Sequence, residues 1–130
     1  WRIWAGYAFE NLCYKHLLKI KEALRIGAVT TTAGYWKAIK EGKKEVEIDL
    51  IIDRADQCIN LCEIKFYRDP FEMTQVYAKE LERKKELFRS STKTRKALFT
   101  TLITNGEVVK NPAYLSVVDN HISIDSLFGS

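Results

Sequence analysis

Three charged residues sit inside stretches whose other members are mostly apolar. Asp49 lies within Val46-Glu47-Ile48-Asp49-Leu50-Ile51-Ile52, and Glu63 and Lys65 lie within Leu61-Cys62-Glu63-Ile64-Lys65-Phe66. A charge taken out of water is costly unless it is paired or ligates a cation. Glu63 and Lys65 are two apart, so on a strand they project from the same face. If the stretch carrying Asp49 pairs with theirs as a hairpin, two carboxylates and an ammonium converge on one point. Carboxylate oxygens suit a hard cation, Mg²⁺ or Mn²⁺. Such an ion polarises a phosphodiester and makes hydroxide accessible from water. A neighbouring lysine orients that water or stabilises the charge of the transition state. Asp49 and Glu63 are therefore the expected metal ligands, with the Ile64 carbonyl also available, and Lys65 is the expected catalytic cation.

The elements that would position these groups can be read from periodicity. Phe9, Leu12, His16, Leu17, Ile20 and Leu24 recur at helical spacing, which predicts an amphipathic helix over residues 4–25, with Gly27 as its stop. Val29, Thr30, Thr31, Thr32, Tyr35 and Trp36 predict a strand over residues 28–37. The charged run 40–44 around Gly42 reads as a turn. The next strand, residues 45–53, alternates. Val46, Ile48, Leu50 and Ile52 share one expected face, and Glu45, Glu47, Asp49, Ile51 and Asp53 the other, with Glu47 as the nearest substitute acid. Residues 58–66 give its hairpin partner. Cys58, Asn60, Cys62, Ile64 and Phe66 fall on one face, and Ile59, Leu61, Glu63 and Lys65 on the other. A helix over residues 71–90 carries Phe71, Val76, Tyr77, Glu80, Leu81, Lys84, Leu87 and Phe88 on its period, and a buried strand over 97–104 ends at Asn105-Gly106. Strand, crossover helix and strand make a βαβ unit with parallel strands. The tail holds an apolar stretch at Val117-Val118, a small strand over 121–125 and Leu127-Phe128. The order predicts a layered α/β domain.

At this point the motifs acquire a likeness. An acid on one strand followed by acid-x-lysine on the next, here Asp49 and Glu63-Ile64-Lys65, resembles the PD-(D/E)XK nuclease superfamily. A narrower resemblance is to the C-terminal domain of prokaryotic, archaeal-type P-loop ATPases. It rests on Gly6-Tyr7-Ala8-Phe9-Glu10, Gly34-Tyr35-Trp36, Glu47 to Ile51, Cys62 to Phe66, and Leu127-Phe128. The resemblance implies a restriction-endonuclease-like core of helix, three strands, helix and strand with a mixed central sheet. It implies a Mg²⁺- or Mn²⁺-dependent deoxyribonuclease with Glu10, Asp49, Glu63 and Lys65 as catalytic residues, Glu10 holding the cation's waters. It implies DNA as substrate and an ATPase domain of the same full-length chain as partner. The alternative it leaves is a non-catalytic accessory domain that binds DNA or protein, since a fold does not fix an activity. Ile48 stands where many members carry the proline of the motif, and Tyr77 is out of register with the Gln-x-x-x-Tyr motif that Gln75 would begin.

Composition bounds these readings. A chain of 130 residues, 46% hydrophobic and 29% charged, is expected to form one domain over 1–130. No apolar run is long enough to cross a bilayer, and no secretion pattern is present. Cys13, Cys58 and Cys62 lack a disulfide spacing, which points to a cytoplasmic setting. Cys13-x-x-His16 and Cys58-x-x-x-Cys62 are read as packing residues rather than a zinc site. The net charge of +4 is compatible with a polyanion. Lys93, Arg95 and Lys96, in a turn without acids, are the expected nucleic-acid contacts. Lys79 to Lys85 read as a solvated helix face balanced by Glu80, Glu82 and Glu86. The chain starts at Trp1 and its one methionine is Met73, so it reads as the C-terminal piece of a longer protein. The oligomeric state stays open, a homodimer included.

Overall fold

The computed structural model describes residues 15–39, 45–65 and 70–123. In chain order these form α1 (Lys15–Ala23), β1 (Thr31–Ile39), β2 (Glu45–Arg54), β3 (Cys58–Lys65), β4 (Phe71–Glu72), α2 (Gln75–Thr92), β5 (Ala97–Thr104), β6 (Val108–Val109), α3 (Pro112–Val117) and β7 (Asn120–Ser123). The expected sequence of helix, three strands, helix and strand is present. The central sheet has five strands in the order β1-β2-β3-β5-β7. β1, β2 and β3 pair antiparallel, while β3, β5 and β7 run parallel, so the sheet is mixed as expected.

Helices cover both faces of the sheet. Ile20, with Leu17 and Leu24 beside it, brings α1 onto Leu50, Ile52, Cys62, Ile103 and Ile122. On the opposite face Phe88 of α2 packs among Trp36, Val46, Ile48, Ile51, Ile59, Leu61 and Leu98. Ala78 and Leu81 of α2 meet Ala113, Tyr114 and Val117 of α3 over Leu102. Both faces being covered explains why β3 and β5 read as near-continuous apolar runs.

The regular alternation expected along β2 is not what forms. Between Gly34↔Ile51 and Trp36↔Ile48, β1 advances two residues and β2 advances three. Asp49 and Leu50 thus stand opposite Tyr35 alone, which is a β-bulge. The extra residue flips the faces. Val46 and Ile48 pack on the α2 side, whereas Leu50 and Ile52 pack on the α1 side. The bulge falls at Asp49, and bulges commonly re-aim a side chain beside a functional site.

Local chemistry moves the start of the second helix. α2 begins at Gln75, not near residue 71, because the Thr74 hydroxyl accepts from Tyr77 N at 3.1 Å and caps it. Phe71 and Glu72 instead pair with Val108 and Val109. In the tail, Asn111 Oδ1 accepts from Tyr114 N at 2.9 Å, Pro112 opens the helix, and α3 forms where the sequence suggested only an apolar stretch. A polar row, buried at Asn60 and Thr101 and half-buried at its ends, ties four strands on the α1 side. Arg54 donates to Asn60 Oδ1 at 3.1 Å, and Asn60 Nδ2 donates to Thr101 Oγ1 at 3.0 Å and to Asn120 Oδ1 at 3.4 Å.

α2 is capped at its C-terminus by Lys93, whose φ of 56° and ψ of 24° are left-handed. An L side chain is strained there by about 1 kcal/mol, and glycine is not. Lys93→Gly is expected to raise the unfolding free energy by about 0.5–1 kcal/mol, read from the urea midpoint.

Candidate active site

The β2–β3 ladder runs from Asp53↔Ile59 to Leu50↔Cys62. One step beyond the last pair come Asp49 and Glu63, close enough for the Asp49 charge to act on the Glu63 carboxyl. Here the Asp49 side chain takes over from the ladder: Ile64 N donates to Asp49 Oδ2 at 2.9 Å. The carboxylate is therefore fixed by backbone, at the point where the bulge interrupts β2. Asp49 is half-buried, and Glu63 is only 4% exposed.

Glu63 is neutralised from the helix layer. Lys84 Nζ donates to Glu63 Oε1 at 2.9 Å, and the two side chains are 17% and 6% exposed. Burial pushes the Glu63 carboxyl up from 4.5 to about 7; Lys84 opposes this, and Asp49 adds to it. A carboxyl desolvated beside a second carboxylate is a group poised for a cation. Lys84 was the residue missed by treating Lys79 to Lys85 as one solvated face. Arg83 and Glu80 do form the expected exposed pair at 2.8 Å. The signal was in the spacing, since Tyr77, Leu81, Lys84 and Phe88 fall on one stripe of α2 and Leu81 and Phe88 are buried.

Lys65 shares the α2-facing side of β3 with Leu61 and Glu63, as expected, but it leans elsewhere. Its Nζ lies 4.8 Å from the centroid of the Tyr77 ring, a cation–π arrangement. Tyr77 in turn meets Phe71 edge-on, with centroids 6.1 Å apart. A cleft of about 240 Å³ opens here, lined by Lys65, Phe71, Glu72, Thr74 and Tyr77. It lies at the carboxyl end of β3, next to the parallel β3–β5 pair. Crevices at the carboxyl ends of parallel strands are where open α/β sheets bind ligands.

The remaining expected residues lie elsewhere. Glu10 and Cys13 fall outside the described residues. Lys93 and Arg95 are exposed at the opposite end of the sheet. Cys58↔Ala97 marks that end and Glu63↔Leu102 the site, five residues apart, or about 16 Å along a strand. Lys96 is committed to structure there, donating to Asp53 Oδ1 at 2.6 Å and to the Arg54 carbonyl at 2.9 Å. Glu47 is exposed, and as the neighbour of Ile48 it points to the sheet face opposite Glu63, so it is no substitute for Asp49. Cys62 is buried among apolar side chains, as read from the sequence. His121 Nε2 lies 2.8 Å from Thr104 Oγ1, and burial with nearby Lys110 holds its pKa down.

Among the described residues, no three His, Cys, Asp or Glu side chains gather at one point. Among the described residues the set here is two carboxylates, Asp49 and Glu63. That set still fits Mg²⁺, which keeps several waters and takes one or two carboxylates plus substrate phosphate. Among the described residues no helix is long and apolar enough to cross a membrane.

Comparison with known proteins gives a family. The family model DUF234, described as archaea bacterial proteins of unknown function, matches residues 1–87. The chain belongs to DUF234. The matched segment runs from the N-terminus through Leu87 and so includes Asp49, Glu63, Lys65 and Lys84. No curated protein and no solved structure matches the chain.

Proposed function

We propose that this DUF234 chain is a Mg²⁺-dependent nuclease domain of the PD-(D/E)XK type, hydrolysing DNA phosphodiester bonds as part of a cytoplasmic P-loop ATPase. The observation that carries the reading is the meeting of Asp49 and Glu63 where the β2–β3 ladder ends, with Lys65 next on the same face of β3. In the reaction, water oxygen bonds to phosphorus, the bond from phosphorus to one ester oxygen breaks, and that oxygen leaves with a proton. A divalent cation held by Asp49 and Glu63 would supply positive charge at the phosphate and acidify water. Asp49 is pre-oriented by Ile64 N, so its carboxylate needs no reorganisation on binding. Lys65 brings a positive charge to the edge of the cleft, where it orients the attacking water and meets the charge of the phosphorane-like transition state. Glu10 keeps the role the resemblance implies, steadying the waters around the cation. The cleft beside Lys65, with Tyr77 and Phe71 on its wall, suits the nucleotide next to the scissile phosphate.

A second reading has its own observation. Lys84 already satisfies Glu63, as in a structural ion pair. On that reading the domain binds DNA or protein without cleaving it. Calorimetry with MnCl₂ and a plasmid-nicking assay in MgCl₂ separate the two. The nuclease reading expects Mn²⁺ binding and nicking by the wild type, both lost in Glu63→Ala. No Mn²⁺ binding, together with DNA affinity that falls steeply with salt, would select the accessory domain.

A further inference from the structure

Glu63 and Lys65 share one face of β3, but the lysine of the sequence motif is not the partner of Glu63. Lys65 rests against the Tyr77 ring, while Lys84, from a different layer of the fold, donates to Glu63 Oε1 at 2.9 Å. The bond spans a narrow gap between α2 and the sheet, walled by Ile48, Leu61, Leu81, Thr100 and Lys85, whose ammonium lies 4.0 Å from Asp119 Oδ2. Of the two partners Lys84 is the more exposed, 17% against 6%, and it sits on a long unbranched stem. Glu63 is held in the sheet; the ammonium is the part that can move.

We propose that Lys84 is a positioning residue that stands in for a divalent cation on Glu63, and that it transfers to a non-bridging phosphate oxygen of the substrate when Glu63 takes up the cation. This rests on the nuclease reading above. The physical reason is a conflict of charge. A divalent ion on the Glu63 carboxylate would lie a few ångströms from the Lys84 ammonium, and at that distance, in a partly desolvated gap, the repulsion is strong. Lys84 therefore has to leave the oxygen it now holds. A lone ammonium in the gap would be as costly as the lone carboxylate was. The phosphodiester brings the missing negative charge, and lysine binds phosphate as a mobile point charge. Lys84 thus keeps the acid aimed before loading and gives the loaded site a preference for a phosphate-bearing ligand. Both lysines are addressed by one stripe of α2, Lys65 through Tyr77 and Lys84 directly.

The test compares wild type, Lys84→Gln, Lys84→Met and Lys84→Arg, with Glu63→Gln as control. Binding of Mn²⁺ alone is measured by calorimetry, and affinity for a labelled DNA duplex by anisotropy in EDTA and in CaCl₂. Removing the competing charge is expected to tighten Mn²⁺ binding by on the order of 10-fold in both neutral variants, with Lys84→Arg close to wild type. The same neutral variants are expected to bind the duplex about 10-fold less tightly in CaCl₂ and equally in EDTA. A residue that merely braced the fold would weaken both measurements, in EDTA as well. Equal or weaker Mn²⁺ binding in both neutral variants overturns the role of Lys84 while leaving the nuclease reading intact, provided Glu63→Gln still abolishes it. Absence of Mn²⁺ binding in the wild type overturns both.

Discussion

Asp49→Asn is expected to lower Mg²⁺-dependent nicking of plasmid DNA by at least about 10²-fold while changing the unfolding free energy by less than about 1 kcal/mol. Asn is chosen because Asp49 does two things. Its Oδ2 accepts from Ile64 N at 2.9 Å, and its charge is half of the carboxylate pair it makes with Glu63. The amide oxygen of Asn keeps the first and lacks the second. Asp49→Ala removes both and leaves a strand N–H without its acceptor, which typically costs about 1–3 kcal/mol. The two variants should therefore lose cleavage alike and differ in urea midpoint. Cleavage by Asp49→Asn at the wild-type rate would remove Asp49 from the chemistry, leaving it as the clasp that ends the β2–β3 ladder.

The bulge at Asp49 also marks how far the sequence could be read. Element order, the parallel pairing of β3 with β5 and the shared face of Glu63 and Lys65 all follow from local periodicity, and they were legible. A bulge is one extra residue, and it leaves the apparent alternation of 45–53 intact on paper. Leu50-Ile51-Ile52 does not betray it either, because a strand covered on both faces is apolar at successive positions with or without a bulge. What the shift at Asp49 changes is the side: Leu50 and Ile52 serve the α1 side, away from Val46 and Ile48, and Ile51 serves the α2 side. Glu47 then separates from Asp49, and an ambiguity that composition alone left open is resolved by packing. The basic residues divide by the same logic. Lys84 falls on the stripe of Leu81 and Phe88, and its spacing outweighed the charged company it keeps. Lys96 looked free because its turn contains no acid, but Asp53 reaches it from β2, a partner 43 residues away that no local window contains. Asn111-Pro112 was a helix start hidden in a segment too short for periodicity to register.

The remaining expectation concerns Glu63, and it is a stability effect with a definite sign. The unfolded chain releases this proton near pH 4.5, while the folded protein holds it up to about 7. Between those values the folded state binds more protons, so stability falls as pH rises. The difference between 4.5 and about 7, at about 1.4 kcal/mol per pH unit, amounts to about 3 kcal/mol lost between pH 4.5 and pH 8. Burial is the leading cause, and the Lys84 bond offsets only part of it. Glu63→Gln removes the titrating group but retains an oxygen for Lys84 Nζ. It is therefore expected to match the wild type near pH 5 and to exceed it by about 3 kcal/mol at pH 8.5, or by about 1–2 M in urea midpoint. His121 contributes with the opposite sign, because its folded pKa lies below the unfolded value, and taking the difference between variant and wild type cancels it. Equal pH dependence in the two proteins would show that Glu63 is ionised at no cost and that Lys84 compensates it fully. The expected result has a functional meaning. An acid that weakens the fold near neutral pH, and whose loss both stabilises the protein and abolishes Mn²⁺ binding, is placed for a ligand rather than for packing.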